Sequence, residues 1–243
     1  MSRHSKWSKI KRQKGMADVA KGKVFTKLGK AITITARERG GDPGTNFGLR
    51  LAIDKAREAN MPKDNIEKAI ARGTGVGADV SMIEEVVYEG YLPGGAALMV
   101  SALTDSRNRT TSNIKHVLSK YGGNLGGMGS VSWMFEKKGV IKIKLESIAN
   151  KGKETAEFEL IDAGADDIKE EDGAVVVYIG ADKLQSGREA IFALGYEIES
   201  AELEQVPKNL VKIEDEASRS GIENIFEALD EDEDVNDFYT NIE

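Results

Sequence analysis

A multidomain fold, helical first and α+β afterwards, is what this 243-residue sequence predicts, and three observations predict it. Up to Gly73 apolar residues recur at helical spacing, and beyond Gly73-Thr74-Gly75-Val76-Gly77-Ala78 they alternate as in strands. Charge divides at the same place: residues 1–73 hold 18 basic and 7 acidic side chains, net +11, and the remainder 16 and 34, net −18. The third observation is a β-α-β-β-α-β order across residues 139–205, the ferredoxin-like pattern. We therefore expect an N-terminal three-helix basic domain at 1–80, a middle α+β domain at 81–137 and 207–243, and an inserted ferredoxin-like α+β domain at 138–206.

The first stretch, Arg3 to Lys30, carries ten Lys or Arg against one acid, Asp18. Its beginning offers only Trp7 and Ile10 as large apolar anchors, too few to offset the entropy of ordering a segment. Such a cation density suits an extended polyanion, and an indole among cations can stack on a base or else staple the arm to the first helix. Phe25, Leu28 and Ile32 then share one face of a helix from Met16 to Arg39, ended by Gly40-Gly41-Asp42-Pro43-Gly44. Asn46 can cap a second helix carrying Leu49, Ala52, Ile53 and Ala56, and a third starts near Pro62 and stops at Gly73.

Ile83–Tyr91 and Ala96–Leu103 read as strands joined by the turn Leu92-Pro93-Gly94-Gly95. Asp105 or Ser106 can cap a helix to about Lys120, with Ile114, Val117, Leu118 and Tyr121 inward. The glycine-rich run 122–129 lacks the Gly-Lys-Ser/Thr ending of a phosphate loop and reads as a connection, followed by a strand around Val131 to Phe135. Core packing, ahead of base stacking, is the expected role of Trp133 and Phe135.

In the inserted domain Ile141, Ile143 and Leu145 alternate with lysines. A helix from Thr155 to Ala163, a hairpin about Asp172-Gly173, a helix from Asp182 to Leu194 and a strand from Tyr196 to Leu203 follow. After Pro207 come one helix with Ile222, Ile225, Phe226 and Leu229 inward, the acidic run Asp230 to Asp234 as a solvated connection, and a last strand near Val235 to Ile242. A lone helix and strand do not fold by themselves, so they are expected to return to the sheet of residues 81–137.

Composition narrows the function classes. There is no cysteine, and His4 and His116 are the only histidines, which leaves little for thiolate or imidazole catalysis or for metal binding. No apolar run approaches the roughly 20 residues of a membrane span, nor does the N-terminus read as a signal peptide. The expectation is a cytoplasmic monomer with no membrane partner, no cofactor, no metal and no small-molecule substrate. The carboxylates Asp166, Asp167, Glu170, Glu171 and Asp172 read as solvated hairpin charges.

Seven motifs carry a resemblance. His4-Ser5-Lys6-Trp7, Gly22 to Leu28, Gly40-Gly41-Asp42-Pro43, Asn60 to Ile66, Tyr88-Glu89-Gly90-Tyr91, Thr104 to Thr110 and Gly129 to Phe135 resemble, in order, the YebC/PmpR family. The resemblance implies a three-domain protein, helical first, named in that family as a DNA-binding transcriptional regulator. Some members, including the mitochondrial translational activator of cytochrome oxidase, act at the ribosome and relieve stalling on proline-rich stretches. Arg3, Gly48 and Ser106 depart from the family's usual Gly, Arg and Asn.

Candidate contacts to nucleic acid are therefore His4, Ser5, Lys6, Trp7, Lys9, Lys11, Arg12, Lys14, Lys21, Lys23, Lys27 and Lys30 in the basic stretch. Arg107, Asn108 and Arg109 join them, because they open a helix whose free N–H groups favour anions. A capping loop with Asp105 paired to an arginine is the alternative for that segment. The function expected is a non-enzymatic nucleic-acid-binding regulator acting on DNA. The alternative is a ribosome-associated factor contacting ribosomal RNA, and a protein-interaction adaptor comes third.

Overall fold

Leu28, Ile32 and Ala36 on α1 (Asp18–Arg39), Leu49, Ile53 and Ala56 on α2 (Phe47–Glu58), and Ile66 and Ala69 on α3 (Lys63–Gly73) close one buried cluster with Met61. The helical spacing of these residues is the reason three short helices suffice for a core. Asn46 secures the corner: its Oδ1 accepts the Leu49 N–H at 3.0 Å, and its Nδ2 donates to Thr35 and Gly40 carbonyls, both at 2.8 Å. The computed structural model describes residues 18–75, 83–171 and 173–243. The second half of the glycine linker, 76–78, and Asp172 lie outside the described residues.

β1 (Glu84–Tyr91) and β2 (Ala97–Thr104) pair antiparallel from Glu84↔Thr104 to Tyr91↔Ala97. Gly94 and Gly95 turn between them with φ of 80° and 81°, a region that glycine enters without steric cost. α4 (Arg107–Lys120) buries Ile114 and Leu118 against this hairpin, and β3 (Asn124–Leu125) adds to its edge. Neither expected cap closes α4: Ser106 makes no side-chain capping bond, and the Asp105 carboxylate instead accepts from Arg109 at 2.8 Å. Expected strand 131–135 is corrected as well, since Ser132–Met134 form a one-turn 3-10 helix and the strand begins only at Phe135.

β4 (Phe135–Lys144) leads into a short α5 (Leu145–Ala149), so Leu145 ends the strand rather than continuing it. α6 (Lys153–Asp162), β5 (Asp167–Glu171), β6 (Ala174–Gly180), α7 (Leu184–Ala193) and β7 (Ile198–Pro207) complete the ferredoxin-like set. Tyr196 precedes the strand expected to begin with it and is buried, its hydroxyl donating to Glu159 at 2.6 Å. Strand order is β5-β6-β4-β7, antiparallel throughout, which puts the two strands with the most buried residues at the centre. Phe135 pairs with Pro207, so the first and last strands of this unit begin and end side by side.

α8 (Glu216–Glu231), capped by Asp215, and β8 (Val235–Thr240) follow. β8 pairs with β2 to give the order β3-β1-β2-β8, and Ile222, Ile225, Phe226 and Leu229 join Ile114, Leu118, Leu98 and Val100 in one core. The described residues divide into two compact units, Phe135–Lys208 and the rest. Within the second unit the helical head meets the first sheet through Ile34, which packs with Ile83 and Leu103, and through Arg37, which donates to the Ile83 carbonyl.

Candidate nucleic-acid interface

The basic face of α1 follows from its spacing, with Lys23, Lys27 and Lys30 at i, i+4 and i+7. The structure brings these three ammonium groups to the C-terminus of α8. Lys27 Nζ donates to the Asp230 carbonyl at 2.7 Å, Lys23 to Glu231 at 3.3 Å and Lys30 to Glu233 at 3.0 Å. A helix ends in unpaired carbonyls and the negative end of its dipole, and α8 has no basic residue in its own last turn. Lysines supplied by α1 satisfy both needs. Lys21 is exposed. His4, Ser5, Lys6, Trp7, Lys9, Lys11, Arg12 and Lys14 lie outside the described residues.

Asp234 is the centre of this junction. The acidic run was expected to be a solvated connection, yet Asp234 is only 5% exposed. Lys30 stands 2.6 Å from its Oδ1, while Arg109 donates to Oδ2 at 2.7 Å and Thr110 at 2.9 Å. Burial alone would push this carboxyl up, but the hydrogen bonds from Lys30, Arg109 and Thr110 outweigh it and hold the pKa below the usual Asp value. The correction has a plain cause: the run stops being solvated where β8 enters the sheet, and the Asp234 carbonyl accepts the Leu103 N–H there at 2.7 Å.

The predicted cluster at the start of α4 divides accordingly. Arg109 is half exposed and bonds both Asp105 and Asp234, which push its pKa up. Arg107, 62% exposed, pairs with Glu84 at 2.7 Å. An exposed pair of this kind contributes little and exchanges readily with another anion. Asn108 is exposed and its carbonyl accepts from Ser112. His116 is also exposed.

A second constellation escaped the sequence reading. The glycine-rich run wraps the carboxylate of Glu89, which is 7% exposed. Backbone N–H groups of Gly129, Val131 and Ser132 donate to its two oxygens at 2.8, 2.7 and 2.8 Å. Burial would raise this pKa, and the three donors outweigh it and lower it. Tyr91 Oη adds a bond to the Ser130 carbonyl at 2.9 Å. The loop so held presents Met128 fully and Trp133 63% exposed, so the expected core role fits Phe135, 4% exposed, but not Trp133. The one available signal was a carboxylate inside the apolar run Val86-Val87-Tyr88-Glu89, which needs donors from elsewhere.

Among the described residues no helix is long and apolar enough to cross a membrane, and no group of three or more His, Cys, Asp or Glu could hold a metal ion. Residues 5–76 match the TACO1/YebC protein N-terminal domain, and residues 83–242 the TACO1/YebC second and third domain. The chain belongs to the TACO1/YebC family.

Relatives within the family match from end to end. A protein of Dictyoglomus turgidum is 46% identical over 243 residues, covering 100% of this chain and 96% of its own length. One of Desulfitobacterium hafniense is 43% identical with the same coverage. Each is named a probable transcriptional regulatory protein. The crystal structure of a conserved hypothetical protein from Aquifex aeolicus superposes with a TM-score of 0.83 at 40% identity, covering 93% of this chain and 91% of that one. This TACO1/YebC chain thus shares the order of three helices followed by two antiparallel sheets with a solved relative.

Proposed function

We propose that this chain is a non-enzymatic, nucleic-acid-binding regulator of gene expression whose polyanion contact is made by its N-terminal head. The observation that carries the reading is the charge split, net +11 in residues 1–73 against −18 in the rest. A dipolar molecule of this kind approaches a polyanion by one end. The naming of its relatives supports DNA and transcription. Ribosomal RNA is the second reading, favoured by one observation, the exposed indole of Trp133 on an anchored loop.

The geometry supports a choice among the cations. Lys23, Lys27 and Lys30 already serve α8 and Asp234, so we assign phosphate contact to Lys6, Lys9, Lys11, Arg12 and Lys14, with Arg107 as a sixth cation exchanging Glu84 for phosphate. Affinity measured against salt tests this. Six phosphate contacts predict a log–log slope of about −5 on duplex DNA and about −4 on single-stranded RNA. Removing Lys9 or Lys11 should flatten it by somewhat under ~1, whereas Lys27→Ala should leave the slope unchanged. A slope near zero would overturn the reading.

A further inference from the structure

We infer that the outward face of α6 and α7 is a docking surface for a cationic amphipathic helix of a partner protein. The inference goes beyond the nucleic-acid reading and does not depend on it. Both helices complete the core beneath them with their other side: Ala156 and Leu160 of α6 and Leu184, Gly187 and Ile191 of α7 are buried. Gly187 lies so close on Ile179 of β6 that even a Cβ would collide there. The outward side nevertheless keeps three large apolar side chains in water, Phe158 and Phe192 each 72% exposed and Ile161 52%. Phe158 and Ile161 stand at i and i+3, so they form one surface. The platform under them is tied together. Lys151 Nζ donates to the Glu159 carboxylate at 2.8 Å and to the Leu194 carbonyl at 2.6 Å, and the Tyr196 hydroxyl donates to the same carboxylate. These bonds hold the end of α7, where Phe192 stands two residues before Leu194, beside the middle of α6. One exposed apolar residue is ordinary, but three on two helices so joined are a feature that contact explains and folding does not.

The surrounding charge selects the occupant. Glu154 and Asp162 flank Phe158 at i−4 and i+4, Glu157 precedes Ile161 by four residues and Glu189 precedes Phe192 by three, and all four acids are exposed. The basic exceptions near this rim are Lys153, which pairs with Glu170 at 3.2 Å, and the half-buried Arg188. Residues 135–208 as a whole hold 10 basic and 17 acidic side chains, net −7. Two copies meeting through this face would set like charges against one another, and a polyanion would be repelled. A helix with an apolar stripe bordered by Lys or Arg meets both demands of the surface. Its stripe takes water off Phe158, Ile161 and Phe192, and its cations face the acids of the rim.

The test uses the full chain and a fluorescein-labelled synthetic helix of leucine and lysine in amphipathic spacing, read by anisotropy. Its controls are a scramble of the same composition and a leucine–glutamate helix of the same pattern. The leucine–lysine helix should bind saturably, and both controls at least ~10-fold more weakly. Phe158→Ser and Phe192→Ser, which leave the charge unchanged, should each weaken its binding about 5- to 30-fold and melt at the parent temperature. Should a serine variant melt lower, the charge-reversed chain carrying Glu154→Lys and Asp162→Lys decides: it should lose the leucine–lysine helix and gain the leucine–glutamate one. Binding that is indifferent to either Phe substitution, equal for the helix and its scramble, or unmoved by charge reversal overturns the inference. So does a parent that self-associates in sedimentation equilibrium and is returned to monomer by Phe158→Ser, since a second copy is then the occupant.

Discussion

Asp234 and Glu89 show how two single carboxylates fix distant segments. Asp234 lies 204 residues from Lys30 and 125 from Arg109, and Glu89 lies 42 from Val131, so no local pattern could announce either. Asn46 was legible for the opposite reason: its capped N–H lies three residues away. The Asp234 carboxyl titrates below its usual value, so its stabilisation is present above the unfolded pKa of about 3.9 and is lost as pH falls through the folded one. Asp234→Asn should therefore cost about 3 kcal/mol at neutral pH, with the gap from the parent closing below about pH 4, as thermal melts across pH would show. Glu89→Gln sets an amide NH2 against backbone N–H donors that now meet a carboxylate oxygen. A loss of about 2 kcal/mol is expected, with faster amide exchange at Gly129, Val131 and Ser132.

At the scale of elements, α1 serves three neighbours at once. Leu28 and Ile32 face the head core, Ile34 meets Ile83 and Leu103, and Lys23, Lys27 and Lys30 reach the end of α8. Its apolar faces were readable because burial imposes helical spacing on them; the partners of its lysines were not, because a capping lysine and a phosphate-binding lysine look alike in sequence. Lys23→Ala and Lys27→Ala should each lower stability by about 0.3–1 kcal/mol in the absence of any nucleic acid, measured by denaturant unfolding. The α1–α3 contact is tighter still. A Cβ on Gly73 would stand 2.4 Å from the Thr33 carbonyl oxygen and 2.7 Å from the Ala36 Cβ, so Gly73→Ala should cost about 1–3 kcal/mol and separate the two helices.

Across the whole molecule, sequence period sufficed for the ferredoxin-like order and for the helical head, since each is built from local repeats. The return of α8 and β8 to the first sheet followed from a different argument, that a lone helix and strand have nothing to bury against. A chain ending at Lys208 should leave β2 as an open edge and expose Leu98 and Val100, and it should aggregate instead of melting cooperatively. The pairing of Phe135 with Pro207 has a further consequence. Partners in an antiparallel ladder stand about 4.5–5.5 Å apart, a gap that a tight turn spans. Residues 135–208 are thus wired in like a cassette, with both leads at one socket. A lineage could acquire, discard or exchange such a part by splicing at a single place, leaving the chain on either side to find its own partners as before.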